Sequence, residues 1–157
     1  LFSLIKAWNK LGADTGNWKL YLIGDGTLKS KLLTHSSKNI IILDYMSQDQ
    51  LRDFSVDAGC FILPSKYEPW GVVTHEFSSA GLPLICSNDC GSSSEFLING
   101  YNGFSFDSNS IDSLSQAIAK IINSSDSQLK KMSINSKRLS ERIDPEVSAA
   151  NLLSFLM

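Results

Sequence analysis

Nowhere in these 157 residues does an uninterrupted apolar run approach the roughly 20 positions that a membrane-spanning helix needs. No charged-then-apolar leader precedes the first helical pattern either, so the chain reads as a soluble domain. Cysteine is scarce: Cys60, Cys86 and Cys90 are an odd number without a C-x-x-C, which describes neither a disulfide framework nor a closed zinc site. The expected setting is reducing, hence cytoplasmic, and no metal is expected. A surplus of one charge is also missing. Fourteen basic side chains face 16 acidic ones, giving a net charge of −2, whereas nucleic-acid binding relies on a basic excess. What the chain does have is hydrophobic residues, 43% of the total, enough at this length to bury about 70% of its unfolded surface.

The ends read as interrupted. Leu1, Leu4, Ile5, Trp8 and Leu11 follow helical spacing from the first position, and Val147, Ala150, Leu153 and Met157 trace a helical stripe without a terminator. Residues 1–157 are therefore expected to form one domain, truncated at both ends.

Between the ends, short apolar runs alternate with helical patterns. Residues 18–23, 40–43, 60–63, 84–86 and 103–106 read as strands, mostly apolar throughout, as suits strands covered on both faces. Helices are expected over 27–36, after Ser47, over 72–80, after Ser110 and along the stripe Leu129, Met132, Ser136, Leu139 and Ile143. Ser47 and Gln50 form a capping-box signature, and Gly81 with Pro83 beyond it stops the helix at 72–80. Serine thickens after Ser105, but apolar residues keep helical period there, so the serines read as solvated helix faces. The alternation implies βαβ units: an α/β, Rossmann-like, three-layer fold with a parallel sheet and helices on both faces.

The densest chemistry runs from Leu63 to Glu76, Leu-Pro-Ser-Lys-Tyr-Glu-Pro-Trp-Gly-Val-Val-Thr-His-Glu. A buried strand ends at Leu63, and ligands of open parallel sheets sit at such carboxyl ends. The free N–H groups of Gly71, Val72 and Val73 would face that crevice at the positive end of a helix dipole, which suits a diphosphate. Glu68 and Glu76 cannot bind phosphate but can accept hydrogen bonds from sugar hydroxyls. A side chain at Gly71 would fill the space before those amides, while the helix start itself is expected to tolerate one and the fold to survive. A loop glutamate alone is more often solvated than functional; its setting lifts this pair.

Other patterns are decoys. Gly24-x-Gly26-x-x-Lys29 lacks the third small residue of a dinucleotide fingerprint, no G-x-x-x-x-G-K-[ST] occurs, and Asp44 at a strand end lacks the acidic pair of a phosphoacceptor site. His75 and Glu76 are adjacent and point apart on a helix, so they form no relay. Cys86 and Cys90 read as buried free thiols. Trp70 suits stacking on a ligand and packing of its loop about equally.

The segment Pro64-Ser65-x-x-Glu68-Pro69-Trp70-Gly71-Val72-Val73-x-x-Glu76 closely resembles the E-x7-E signature of the group 1 glycosyltransferases (family 4), retaining enzymes of two-domain GT-B fold. Leu22-Ile23-Gly24-Asp25-Gly26, Leu43-Asp44-Tyr45-Met46 with Leu51, Ala80-Gly81-Leu82-Pro83-Leu84-Ile85, Gly91 with Glu95, and Asn99-Gly100-Tyr101-Asn102-Gly103-Phe104 follow in the family's order. Phe77-Ser78-Ser79 and His75 depart from it.

The resemblance implies the carboxyl-terminal, donor-binding half of such an enzyme. By it, Glu68 bonds donor-sugar hydroxyls as the catalytic carboxylate and Glu76 holds the ribose. Gly71, Val72 and Val73 offer backbone donors, Met46 meets the base through its backbone, and Gly24 leaves room for the nucleotide. The partners implied are a nucleotide-diphosphate sugar and a saccharide or lipid-linked acceptor held by an amino-terminal domain outside this sequence. No cofactor or metal is implied, and location is cytoplasmic or peripheral at the inner face of the membrane. The family's Gly-Arg strand and its following Lys, which neutralise the diphosphate, would lie ahead of Leu1. The alternative is a nucleotide-sugar-binding or epimerase domain of similar fold.

Overall fold

A computed structural model of the protein describes residues 1–143 and 145–154, so the expected stripe position Met157 lies outside the described residues, as does the side chain at 150. The order is α1 (Phe2–Leu11), β1 (Leu20–Ile23), α2 (Lys29–His35), β2 (Ile40–Leu43), α3 (Gln48–Ser55), β3 (Phe61–Leu63), α4 (Val72–Ser79), β4 (Leu84–Ser87), α5 (Ser93–Phe96), β5 (Gly103–Phe106), α6 (Ile111–Ile122), α7 (Asp126–Ser140) and α8 (Pro145–Ser154). A 3-10 turn, Gly12–Thr15, joins α1 to β1.

Strands β2 and β5 occupy the expected residues. Strand β1 begins two residues late because the Trp18 N–H donates to Thr15 in a turn at 3.0 Å, leaving Leu20 as the first residue to donate to the neighbouring strand, through Asn39 at 2.9 Å. Helix α2 begins late for the same kind of reason: Lys29 N–H closes a turn onto Gly26 at 3.1 Å. The Ser47 cap forms in full, Gln50 N–H donating to Ser47 Oγ at 3.3 Å and Ser47 N–H to Gln50 Oε1 at 2.9 Å. At the far end of α4, Leu82 N–H reaches Phe77 O at 3.0 Å and Gly81 N–H reaches Ser78 O at 2.9 Å, the paired bonds of a Schellman stop. Helix α5 was not expected; at four residues it is too short to carry a period.

Every strand pair is parallel. The strands do not form one continuous sheet, however. They stand in two ladders, β1–β2 and β3–β4–β5, with β1 and β3 unpaired toward each other. Helices cover both faces, and β4 shows why. Its Ile85 joins Leu4, Trp8, Leu114 and Ile118 of α1 and α6 in the larger core, whereas Leu84 and Cys86, pointing the other way, pack with Phe96, Leu97 and Phe77. Such a strand, buried on both sides, explains a continuous apolar run rather than an alternating one. Among the described residues no helix is long and apolar enough to cross a membrane.

Candidate functional site

The loop from Pro64 to Gly71 carries the site and is fixed by a second loop rather than by its own residues. Glu68 N–H donates to Asp89 O at 3.3 Å and Gly91 N–H donates to Glu68 O at 3.0 Å, an isolated parallel bridge between the segments after β3 and β4. Ser92 extends it: its N–H donates to Trp70 O at 2.8 Å and its hydroxyl to Gly71 O at 3.0 Å. Cys90 completes the clamp with its thiol 3.4 Å from Trp70 O. Gly91 is required by this closeness, since a Cβ there would lie 2.1 Å from Pro69 O.

Gly71 is the N-cap of α4, and its φ of 84° and ψ of 66° place it in the left-handed region. A Cβ at Gly71 would also sit 3.0 Å from Glu68 Cγ, 3.1 Å from Cys90 Sγ and 3.2 Å from Leu63 Cδ2. The expectation that the helix start tolerates a side chain is therefore corrected: glycine is needed here for conformation and space before any ligand is considered. From this cap the amides of Gly71, Val72 and Val73 make no bond to any carbonyl among the described residues, while Thr74 N–H already closes onto Gly71 O at 2.9 Å.

Helix α4 divides its faces cleanly. Thr74 and Ser78 are fully buried; Val72 and Glu76, four residues apart, lie exposed on the opposite side. The buried side is anchored twice to α7. Ser78 Oγ donates to Ser136 O at 2.9 Å, and His75 Nε2 lies 3.2 Å from Ser140 O, an acceptor, so that nitrogen carries the proton. The His75 ring stacks on Phe96 with centroids 4.4 Å apart, which accounts for the residue as packing. Trp70, meanwhile, meets the edge of the same Phe96 ring at 6.4 Å and remains 45% exposed.

The carboxylates of Glu68 and Glu76 have no partner among the described residues, whereas Asp89 is taken by Ser108. Asp25 and Asp44 are both taken by Lys29, which lies 3.7 Å from Asp25 and hydrogen-bonds Asp44. That bond, with the attraction behind it, holds the Asp44 carboxyl below its ordinary range and raises Lys29. Lys29, a residue the sequence reading treated only as part of an incomplete fingerprint, thus ties the turn after β1 to the turn after β2. Its charge is already met by two carboxylates, so it is not a spare cation for a diphosphate.

Gly24, Met46 and Val73 line one cavity of about 1160 Å3 at and below these turns. Glu68, Gly71, Val72 and Glu76 do not line it; they stand on the loop and outer helix face beyond Val73. The predicted residues accordingly fall into two groups joined by Val73. Cys86 and Cys90 are buried free thiols, as read; burial, with Cys90 nearby, pushes the Cys86 thiol up to about 12, and burial raises Cys60 as well. Among the described residues no group of His, Cys, Asp and Glu could hold a metal ion.

The family described as glycosyl transferases group 1 matches residues 1–139. An uncharacterised glycosyltransferase of Methanocaldococcus jannaschii is 30% identical over 129 residues, covering 80% of this chain and 36% of that protein. A glycogen synthase of Mycobacterium tuberculosis is 30% identical over 108 residues, 66% of this chain and 26% of the synthase. The chain thus spans only about a quarter to a third of the length of these relatives. Among solved structures, an S. aureus TarM variant in complex with fondaparinux, alpha-GlcNAc-glycerol and UDP superposes with a TM-score of 0.82 at 18% identity, covering 98% of this chain and 32% of that one. At that identity the likeness carries the fold alone.

Proposed function

The chain belongs to the group 1 glycosyl transferases and has the Rossmann-like fold of GT-B enzymes, and from that premise we propose that it is the half that binds a nucleotide-diphosphate sugar in a retaining hexosyltransferase. The observation that carries this reading is the pair of unpartnered carboxylates, Glu68 and Glu76, set on either side of the three free amides that begin α4. Carboxylates accept from sugar hydroxyls, while amides at a helix start take negative charge. As the bond between sugar and diphosphate breaks, charge grows on the departing phosphate. Donors already fixed in place by the Ser92 and Gly91 clamp meet that charge without reorganising.

In this reading Glu68 is the catalytic carboxylate at the sugar, Glu76 holds the ribose, Gly24 leaves room for the nucleotide and Met46 meets the base through its backbone. A UDP-bound structural neighbour supports a nucleotide donor. No metal takes part, and the acceptor, a saccharide or lipid-linked one, is held outside these 157 residues. Purified residues 1–157 are expected to fold but not to release nucleotide diphosphate in response to an acceptor; such release would refute the division of labour.

In the whole protein, Glu76→Gln weakens nucleotide-sugar binding, because the ribose is held equally in ground and transition states. Glu68→Gln chiefly lowers turnover. A hydrogen bond to a charged group is worth about 1.5–3 kcal/mol, so each loss is about tenfold to a hundredfold. Kinetics across a panel of nucleotide sugars test both, and a substitution that leaves kcat and KM unchanged removes its residue from the site.

A further inference from the structure

Three serines in a row, Ser92, Ser93 and Ser94, follow Cys90 and Gly91, and their hydroxyls serve different ends. Ser93 Oγ donates to Cys90 O at 2.7 Å and Ser94 Oγ to Gly91 O at 2.8 Å, each three residues back, as hydroxyls in a helical turn commonly do. Ser92 Oγ leaves its own turn. It is fully buried and donates at 3.0 Å to Gly71 O, 21 residues back, at the start of α4. Cys90 Sγ lies 3.3 Å from the same hydroxyl, but a carbonyl is the stronger acceptor and takes its single proton.

A buried hydroxyl must find a partner, and that alone would make this bond a matter of satisfaction. The receiving atom argues otherwise. Gly71 O already accepts Thr74 N–H at 2.9 Å, so it would not stand unpaired without Ser92. Trp70 O is doubly served too, by Ser92 N–H at 2.8 Å and by the Cys90 thiol at 3.4 Å. Two successive carbonyls thus each accept two donors, and Ser92 supplies one to both.

The consequence lies on the far side of those two peptide units. In a trans peptide the C=O and the N–H point opposite ways. Trp70 O, directed at Ser92, therefore turns the Gly71 N–H away from the segment after β4, and Gly71 O, directed at the Ser92 hydroxyl, does the same for the Val72 N–H. These are two of the three amides that begin α4 without a carbonyl partner among the described residues. A hydrogen bond to a carbonyl also polarises its peptide, strengthening the next bond in the chain by about 10–30%. Ser92 thereby sets the direction and the strength of two donors that it does not touch.

We propose that Ser92 is a positioning residue for the diphosphate: through Trp70 O and Gly71 O it aims and polarises the Gly71 and Val72 amides toward the charge that grows on phosphate as its bond to the sugar breaks. The inference rests on the donor reading of those amides. It adds to that reading a fully buried residue that meets neither sugar nor nucleotide.

The test measures, in the whole protein, kcat and the affinities of UDP, GDP, ADP, CDP and dTDP and of the matching nucleosides. Ser92→Ala keeps the N–H to Trp70 O and strands no carbonyl, so it is expected to melt within about 6 °C of wild type. The diphosphate that binds wild type is expected to bind Ser92→Ala about threefold to tenfold more weakly, with kcat falling as much and affinity for its nucleoside kept within about twofold. A merely structural role would weaken nucleoside and diphosphate alike. Ser92→Thr, which keeps the hydroxyl, is expected to bind the diphosphate as wild type does. Should Ser92→Ala fail to fold, Ser92→Cys places a poor donor of similar size at the same point and gives the same comparison. Equal losses for nucleoside and diphosphate overturn the proposal, as do unchanged diphosphate affinity and kcat in folded Ser92→Ala, or a folded Ser92→Thr that binds no tighter than Ser92→Ala. If none of the diphosphates binds wild type, the donor reading itself fails and takes this inference with it, a result distinct from the others.

Discussion

Replacing Gly71 by alanine tests how the loop from Pro64 to Gly71 is held. Two costs can be read from the geometry. A non-glycine residue in the left-handed region costs about 1–2 kcal/mol, and Gly71 sits there with φ of 84°. The added methyl group would then meet Glu68 Cγ, Leu63 Cδ2 and Cys90 Sγ within 3.0–3.2 Å. The first two are side-chain ends that can shift; the sulfur is held by Trp70 O and Ser92 Oγ. Strain and crowding together give about 2–3 kcal/mol, and at about 2–4 °C per kcal/mol for a chain of this length the melting temperature falls by about 4–12 °C. Gly100→Ala is the control: its φ of 78° carries the same strain with nothing within 4 Å of the new methyl. Calorimetric melting of both variants separates the two costs, and the excess for Gly71→Ala is the crowding against the Glu68 wall. A Gly71→Ala protein that melts with wild type, or no lower than Gly100→Ala, would show that the loop is not packed as described.

Asn102 is fully buried, donates to Phe96 O at 2.8 Å and Ser136 Oγ at 3.0 Å, and accepts from Ile98 N–H at 2.8 Å. Its replacement by alanine strands two buried partners, Phe96 O and Ser136 Oγ, at about 1–3 kcal/mol each, and frees the N–H of exposed Ile98 to water, so about 2–4 kcal/mol of stability is lost after relaxation, measured as a drop in urea midpoint at constant m. The Cys86 thiol, raised from 9.0 to about 12, stays protonated in the folded chain while an unfolded one ionises. Stability from this group is therefore complete below pH 9 and drains away toward pH 12, by at most about 1.4 kcal/mol per pH unit. Urea midpoints at pH 8 and 10.5 should converge more closely in Cys86→Ala than in wild type; identical slopes would refute the shift.

Local rules made much of this legible. The Ser47 box, the Ser110 cap and the Gly81 stop each lie within a few residues and formed as their sequences say. A second box, Ser125 with Gln128, carries the same signature and was open to the same reading. What escaped was long-range. The Glu68–Cys90 bridge joins segments 22 residues apart through backbone atoms, which leave no period in the sequence. Lys29 and Asp44, 15 apart, meet only because β1 and β2 pair in register. The conformation of Gly71 was hidden because a glycine before a helix is equally consistent with ordinary angles.

The double anchorage of α4 to α7, through Ser78 with Ser136 and His75 with Ser140, makes the two helices one mechanical part. Glu76 and the free amides ride at one end of that part, and Asn102 bolts its other side to the chain before β5 through the same Ser136. If the molecule closes over a substrate, carboxylate and amides travel as a unit, their spacing preserved through the stroke. Variation on α7 would be felt at Glu76 and the amides as a change of aim rather than of chemistry.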